Sequence, residues 1–261
     1  MKEHKWIQSR NKRLSAMLHQ QEGSQSPAIV IICHGFTGEK VGGSQFYLHL
    51  ANAIEAAGYA VMRFDYAGSG ESEGGFAADT TVTGWKTDLN NVVAWVRGQE
   101  AYEHSPIYIL GHSLGGCIAL LHDDPKHLIA GRIALAPEVF PEENYRNTIL
   151  GPALWKESEN GRTISHFFGK GYSLEPGFVR DMLDENHDPI AASQSYDCPV
   201  LLIHGTEDHA VPVRGTRLFY NQYPGPKELQ LIEGADHGFS HHLTELNACI
   251  IKFLNANEHL R

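Results

Sequence analysis

Two serines stand at the centre of a G-x-S-x-G pattern, which can present a serine hydroxyl as a nucleophile. The matches are residues 111–115 (GHSLG) and residues 70–74 (GESEG). The pattern has a mechanism only where a strand turns sharply into a helix, because that turn exposes the hydroxyl and the glycines leave room for nearby backbone. An apolar run, 107–110, precedes Ser113, and a helical run, 116–121, follows it. This context predicts Ser113 as the nucleophile.

Ser72 lacks that context. The residues after it lead into Gly75 without a helical pattern, and Glu71 and Glu73 flank the serine. Two neighbouring carboxylates would oppose the negative charge that develops on an oxyanion. We therefore expect Ser72 to take no part in the chemistry.

A nucleophilic serine needs a base that removes its proton and an acid that orients the base. After a serine on such a turn, the acid comes next in the chain and the histidine last. Asp208 follows the apolar run 199–203, and His237 follows the run 228–232. The carboxyl ends of parallel strands meet at one rim of a sheet. The sequence therefore predicts that Asp208 and His237 lie near Ser113 as acid and base.

Three other residues compete for these roles. Glu207 and Asp236 are rival acids, and His209 is a rival base. Glu207 stands one position before the usual place of the acid. Asp236 adjoins His237, and adjacent side chains on an extended loop point apart. His204 ends a strand, and we expect it to brace a loop by hydrogen bonds.

An oxyanion needs two preorganised donors. The backbone N–H of Leu114 opens the helix after Ser113 and supplies one. The second is expected from the loop after the first parallel strand, residues 34–38 (HGFTG). We predict the N–H of Phe36, whose side chain could pack in the core while its amide donates.

Short apolar runs alternate with longer amphipathic stretches. The runs cover residues 28–33, 59–64, 107–110, 129–136, 199–203 and 228–232. Helical periodicity covers 44–57, 82–97 and about 240–256. This alternation predicts an α/β fold with a doubly wound, mostly parallel sheet. Residues 5–9 and 13–19 predict an antiparallel N-terminal hairpin at the sheet edge.

The alternation is interrupted between residues 139 and 197. This interval has no strong strand pattern and carries many aromatic residues. We predict a core of residues 1–138 and 198–261 with an inserted cap, 139–197, over the active site. Most of the aromatics are expected to form the cap's own core and its seam with the sheet. Trp155 and Tyr172 are predicted to line the acyl pocket, because such pockets are apolar.

Composition excludes several classes of protein. The 261 residues carry a formal net charge of −10, which argues against nucleic acid as a partner. No apolar run reaches the roughly 18 residues of a membrane span. Residues 1–13 are basic and polar with no apolar segment behind them, so we expect no signal peptide and a cytoplasmic protein. The four cysteines have no CxxC spacing and the sixteen histidines no HExxH, which predicts reduced thiols and no metal site.

Several segments together resemble the α/β-hydrolase superfamily. They are residues 34–38, 63–65, 68–72, 111–116, 204–208 and 233–237. The combination is most similar to the bacterial cinnamoyl (feruloyl) esterases, which are intracellular serine esterases with a small cap. The resemblance covers about residues 28–138 and 198–254. It implies an α/β-hydrolase fold and hydrolysis of hydroxycinnamoyl or other small-to-medium acyl esters.

The expected activity is therefore carboxylic-ester hydrolysis through an acyl-enzyme, with no cofactor and a small-molecule ester as the partner. Thioester or amide hydrolysis on the same scaffold is an alternative. A non-catalytic ligand-binding protein with this fold is another, although such a protein has no need of all three residues. The sequence leaves open whether the chain forms a homodimer.

Overall fold

The computed structural model describes residues 1–21 and 28–257. The strands are β1 (Lys2–Ser9), β2 (Lys12–His19), β3 (Ile29–Cys33), β4 (Ala60–Phe64), β5 (Ile107–His112), β6 (Ile129–Leu135), β7 (Ile164–Ser165), β8 (Ser173–Leu174), β9 (Val200–Gly205) and β10 (Lys227–Ile232). The α-helices are α1 (Phe46–Ala56), α2 (Phe76–Asp79), α3 (Val82–Arg97), α4 (Leu114–Leu121), α5 (Pro141–Asn144), α6 (Gly151–Glu159), α7 (Gly177–Asp184), α8 (Pro189–Ala192), α9 (Val213–Gln222) and α10 (Leu243–Asn257).

Eight strands form the main sheet, in the order β1-β2-β4-β3-β5-β6-β9-β10. All pairs from β4 to β10 are parallel, whereas β1 pairs with β2 and β2 with β4 in antiparallel fashion. The predicted α/β-hydrolase fold, with its N-terminal hairpin at the sheet edge, is confirmed.

Helices cover both faces of this sheet, which explains why its central strands are continuously apolar. Ile29 and Ile31 of β3 pack in one core cluster with residues of α3 and α4. Val30 and Ile32 of the same strand pack in a second cluster with residues of α1 and α10. Alternate side chains of a strand point to opposite faces, so a strand covered on both sides needs apolar residues throughout.

Two predicted helices begin later than expected. The helix predicted from residue 44 begins at Phe46, because Ser44 and Gln45 have left-handed φ angles of 52° and 62°. The helix predicted from about residue 240 begins at Leu243. There the Asp236 carboxylate accepts hydrogen bonds from the Ser240 N–H and hydroxyl, which hold residues 236–240 in a turn.

The interval 139–197 lies between β6 and β9 and contains α5 to α8. Its only strands in the described chain are the two-residue pair β7 and β8, which form a small antiparallel sheet of their own. Tyr145, Phe167 and Phe178 of this interval pack into the same core cluster as Ile29 and Ile31. Within residues 1–21 and 28–257, no helix combines the length and apolar character that crossing a membrane requires.

Candidate active site

Ser113 occupies the sharp turn between β5 and α4. Its φ of 58° and ψ of −122° are strained for a residue with a side chain. A Cβ on Gly111 would stand 2.0 Å from the Gly115 carbonyl oxygen, and a Cβ on Gly115 would stand 2.3 Å from the Cys33 oxygen. Glycine is therefore required at both positions, because the turn brings backbone against backbone.

Asp208 and His237 are hydrogen bonded to each other after the ends of β9 and β10. The distance from His237 Nδ1 to Asp208 Oδ2 is 2.7 Å. The second carboxylate oxygen, Oδ1, accepts the N–H groups of Ala210 and Val211 at 2.8 Å each. The Asp208 side chain is fully buried, whereas that of His237 is 27% exposed.

The environment of Asp208 favours its charged form. Burial alone would raise its pKa, but hydrogen bonds from His204 and His237 outweigh burial and hold the pKa well below its usual range. His204 Nε2 lies 3.3 Å from Asp208 Oδ2, so the acid has two histidine neighbours. His204 also bonds Thr216 and the Val211 carbonyl, as expected for a histidine that braces a loop. A charged carboxylate stabilises an imidazolium on His237 and keeps Nδ1 protonated.

The rival acids, the rival base and the second serine make other contacts or are exposed. The carboxylate of Asp236 accepts hydrogen bonds from Ser240, and Glu207 and His209 are exposed. Ser72 is nearly buried, and its hydroxyl donates to the Asp65 carbonyl at 2.7 Å while accepting the Ser15 N–H at 2.8 Å. These contacts make Ser72 part of a folded turn.

A cavity of about 330 Å³ joins Ser113, His237 and Phe36. Its walls come from the loop after β3, the start of α1, the turn between β5 and α4 that holds Ser113 (the elbow), and His237 with the residues after it. They are Gly35, Phe36, Gly38, Gly42, Gly43, Ser44, Phe46, Tyr47, His112, Ser113, His237, Gly238, Ser240 and Leu243. Among these described wall residues there is no carboxylate, lysine or arginine side chain, so the cavity suits a neutral group.

The two predicted oxyanion donors come from the residue after Ser113 and from the loop after β3. Leu114 is the first residue of α4, so its N–H has no acceptor within the helix. Gly35 lies against the nucleophile, because a Cβ placed on it would stand 3.1 Å from Ser113 Cβ. Phe36 follows Gly35 directly, so its backbone borders the same space.

The ring of Phe36 packs at the centre of an aromatic cluster. Its ring centroid lies 5.1 to 6.4 Å from those of Phe76, Tyr145, Phe167, Phe168 and Phe178. Four of these partners belong to the interval 139–197. The loop that holds the predicted donor is thus anchored by aromatic contacts with that interval.

The structure places the two predicted pocket residues away from the walls of this cavity. Trp155 is 2% exposed, and its Nε1 donates to Glu159 at 2.8 Å, because α6 turns the indole into the core. Tyr172 donates its hydroxyl to the Thr37 carbonyl at 3.0 Å and packs on Phe76. Tyr172 therefore supports the loop after β3, and the expectation that either side chain walls the cavity beside Ser113 is corrected.

Three buried residues near Ser113 were not singled out from the sequence: Tyr47, His112 and Glu138. His112 bonds the His237 carbonyl at 2.8 Å and the Tyr47 hydroxyl at 3.0 Å. Glu138 is 1% exposed, accepts two hydrogen bonds from Asn144 and donates its N–H to the Ser113 carbonyl. Burial raises the pKa of Glu138 to about 8, and the charge of Asp208 adds to this effect. Only His112 carried a sequence signal, its place beside the nucleophile.

The doubly wound sheet and the strained serine turn between strand and helix define an α/β hydrolase. A sequence profile of the family described as serine aminopeptidase, S33, matches residues 24–170. The chain belongs to this family. It is 32% identical over 224 residues to the uncharacterized protein YqkD of Bacillus subtilis (strain 168), a match that covers 83% of this chain and 67% of that protein.

Lysophosphatidylserine lipase ABHD12 of Mus musculus is 28% identical over 215 residues, which cover 78% of this chain and 48% of the lipase. The chain thus spans about half the length of that relative. Among solved structures, Est1E of Butyrivibrio proteoclasticus with bound ferulic acid superposes with a TM-score of 0.84 at 27% identity. That match covers 97% of this chain and 98% of Est1E.

Proposed function

We propose that the chain is a carboxylic-ester hydrolase that works through an acyl-enzyme on Ser113. The observation that carries the proposal is the hydrogen bond of 2.7 Å between His237 and Asp208, at the cavity that Ser113 also lines. His237 removes the serine proton as the hydroxyl attacks the ester carbonyl, and then gives that proton to the leaving alcohol. A water molecule, activated by the same histidine, releases the acid.

The backbone N–H groups of Phe36 and Leu114 hold the oxyanion of each tetrahedral intermediate in this proposal. Both are fixed before the substrate arrives, Leu114 by α4 and Phe36 by its aromatic cluster. Donors that need no reorganisation stabilise the transition state more than the ester. No step needs a cofactor or a metal ion.

Hydroxycinnamoyl esters are the proposed substrates, with other small-to-medium acyl esters as the broader class. The likeness to Est1E with ferulic acid supports this choice, as does a cavity of about 330 Å³ whose described walls include no carboxylate, lysine or arginine side chain. We also propose that residues 139–197 act as the cap, since their aromatic rings surround Phe36 beside this cavity. A small-molecule ester as the partner and a cytoplasmic location belong to the same proposal.

Amide hydrolysis is the second candidate, because the family is described as serine aminopeptidases. The two reactions share the attack by serine and differ in the leaving group, an amine in place of an alcohol. A matched pair of substrates, one acyl group carried as methyl ester and as amide, separates them by kcat/KM.

The decisive experiment uses a fluorophosphonate probe and intact-mass spectrometry. The parent and Ser72→Ala should each gain one adduct, whereas Ser113→Ala should gain none. The parent is then assayed on acetyl, octanoyl and hydroxycinnamoyl esters and on the matched amide. Labelling of Ser113→Ala would refute the nucleophile, and a parent that cleaves none of the substrates would favour a ligand-binding protein.

A further inference from the structure

Two side chains connect the loop after β3 to the loop that carries His237. The Gly35 N–H donates to the Tyr47 hydroxyl oxygen at 2.8 Å. Tyr47 Oη lies 3.0 Å from His112 Nδ1, and His112 Nε2 lies 2.8 Å from the His237 carbonyl oxygen. The three hydrogen bonds run beside Ser113, because His112, the last residue of β5, directly precedes it.

Only one arrangement of protons satisfies all three bonds with a neutral His112. The His237 carbonyl can only accept, so His112 Nε2 carries the hydrogen. Burial, with the charge of His237 adding to it, lowers the pKa of His112 to about 3, so the ring is neutral and Nδ1 is an acceptor. Tyr47 must then donate its hydroxyl hydrogen to Nδ1 while its oxygen accepts from Gly35. The donor and the acceptor of each of the three hydrogen bonds are thereby assigned.

The two ends of this chain carry the groups that must be placed accurately around Ser113. Gly35 directly precedes Phe36, the proposed oxyanion donor, and a Cβ added to Gly35 would stand 3.1 Å from Ser113 Cβ. His237 is the proposed base. Gly35, Tyr47, His112 and His237 all line the same cavity. A shift of about 1 Å in such groups is enough to lower a rate 10²-fold.

We propose that Tyr47 and His112 are positioning residues, which set the distance between the oxyanion loop and the base across Ser113. This inference rests on the function proposed above. Neither side chain takes a proton from the substrate. They keep the Phe36 N–H and the His237 imidazole at a fixed distance from each other. A single tetrahedral intermediate on Ser113 can then contact both groups.

Tyr47→Phe tests the inference, because it keeps the ring and removes only the hydroxyl. The Gly35 N–H then loses its acceptor and His112 Nδ1 its donor. We expect kcat on an ester substrate to fall at least about 10-fold, with KM changed less than about 3-fold, as for an interaction that acts in the transition state. Binding of a trifluoromethyl ketone, which adds to Ser113 and forms an oxyanion, should weaken by a similar factor.

Tyr102→Phe is the matched control. Tyr102 is also buried, and its hydroxyl donates to Gln20 at 2.6 Å, but it precedes β5 and so lies at the end of the strand away from Ser113. Both variants should lower Tm, Tyr47→Phe by more, since it loses two buried hydrogen bonds and Tyr102→Phe loses one. Only Tyr47→Phe should lower kcat.

Two substitutions of His112 each remove one of its two hydrogen bonds and keep the other. An asparagine amide can replace Nδ1 and keep the bond to Tyr47, whereas a glutamine amide can replace Nε2 and keep the bond to His237. We expect His112→Asn and His112→Gln each to lower kcat. Adding Tyr47→Phe to His112→Gln should cost little more, because the link to Tyr47 is already lost.

The outcomes separate this inference from the proposed function. Loss of activity in Ser113→Ala together with an unchanged kcat and ketone affinity in folded Tyr47→Phe would overturn the positioning role alone. Full additivity of Tyr47→Phe and His112→Gln would overturn it as well. Activity retained by Ser113→Ala would refute the proposed function itself.

Discussion

Residues 70–74 and 111–115 have the same glycine spacing around a serine, yet the fold uses them differently. Ser113 directly follows the buried strand β5, has a φ of 58° and lines a cavity. Ser72 lies in an irregular turn, where both the donor and the acceptor capacity of its hydroxyl are used by backbone groups. A hydroxyl that is hydrogen bonded on both sides is unavailable to a base. The comparison shows that the strand and helix around the pattern decide its role.

The two segments also differ in the charges that surround them. Residues 70–74 wrap around the buried Asp65, whose carboxylate bonds Lys40 Nζ at 2.6 Å and the Glu71 N–H at 2.9 Å. The same lysine bonds the Glu71 side chain. The elbow is instead backed by groups whose shifted pKa values favour the neutral form, His112 and Glu138. Fixed charges thus stabilise the turn at residues 70–74. The groups beside the Ser113 turn favour their neutral forms, so they do not oppose the charge that develops during the reaction.

The largest effect is expected from the serine and its base. Ser113→Ala and His237→Ala should each lower kcat by about 10⁴ to 10⁶, and the double variant should be hardly worse, because the two residues act as one unit. Single-turnover and steady-state rates on one ester give the comparison. Near-native activity in either single variant would contradict the mechanism.

Next in size is the effect of filling a glycine. Gly115→Ala would force the elbow away from the Cys33 and His34 carbonyls, which lie 2.3 and 2.4 Å from the new methyl group. We expect a loss of about 3 kcal/mol of unfolding free energy and at least a 10²-fold lower kcat.

Gly75→Ala, directly after the other segment, provides the control. Gly75 has a φ of −129°, and nothing lies within 4 Å of an added Cβ. Urea unfolding and kcat should therefore stay near the parent values. Equal damage from both substitutions would mean that crowding does not distinguish the two segments.

A smaller effect, visible only as a pH dependence, is expected at Glu138. Its folded-state pKa of about 8 lies above the ordinary value of 4.5, so the folded protein retains a proton that the unfolded chain releases. This contribution lowers the unfolding free energy by about 1.4 kcal/mol per pH unit between those values. Glu138→Gln removes it, so the variant should gain on the parent as the pH rises from 5 to 8.

Urea unfolding at four pH values in this range measures the effect, with the exposed Glu157→Gln as the control. A constant difference between Glu138→Gln and the parent would show that the carboxyl is ionised in the folded protein. A variant that loses stability relative to the parent as the pH rises would show the same.

The smallest effect is expected at Ser72. Ser72→Ala leaves the buried Ser15 N–H and the Asp65 carbonyl without this partner, which should cost about 1 to 2 kcal/mol of unfolding free energy. Its kcat should stay within about 3-fold of the parent. A stable protein with a much lower kcat would bring Ser72 back as a functional residue.

The elements around the site were predictable because they depend on local patterns. Each buried strand reads as an apolar run, and α3 was predicted with its observed bounds, since its periodicity is regular. The elbow was predictable because turns of this kind bring backbone against backbone, and only glycine, which has no Cβ, fits at the two crowded positions. Placing Asp208 and His237 after consecutive strands was enough to predict that they would meet, since parallel strands end at one rim.

The interval 139–197 shows where prediction from the sequence ends. Its aromatic content indicated a core, but which ring faces a cavity depends on how short helices tilt against the sheet. Trp155 was expected at the pocket and lies in the core, while Phe36 gathers the aromatic cluster. The periodicity of apolar residues in the sequence does not predict the angle at which α6 packs against the rest of the structure.

The sequence by itself determined the order of strands and helices, the elbow at Ser113 and the positions of an acid and a histidine after strand ends. Those features follow from backbone geometry and from the periodic burial of neighbouring residues. Only the tertiary structure decided that Tyr47 and His112 join two loops, and that Glu138 lies buried with its N–H on the Ser113 carbonyl. Tyr47 and His112 are 65 residues apart in the chain, and a hydrogen bond between them exists only once the sheet has brought α1 against β5.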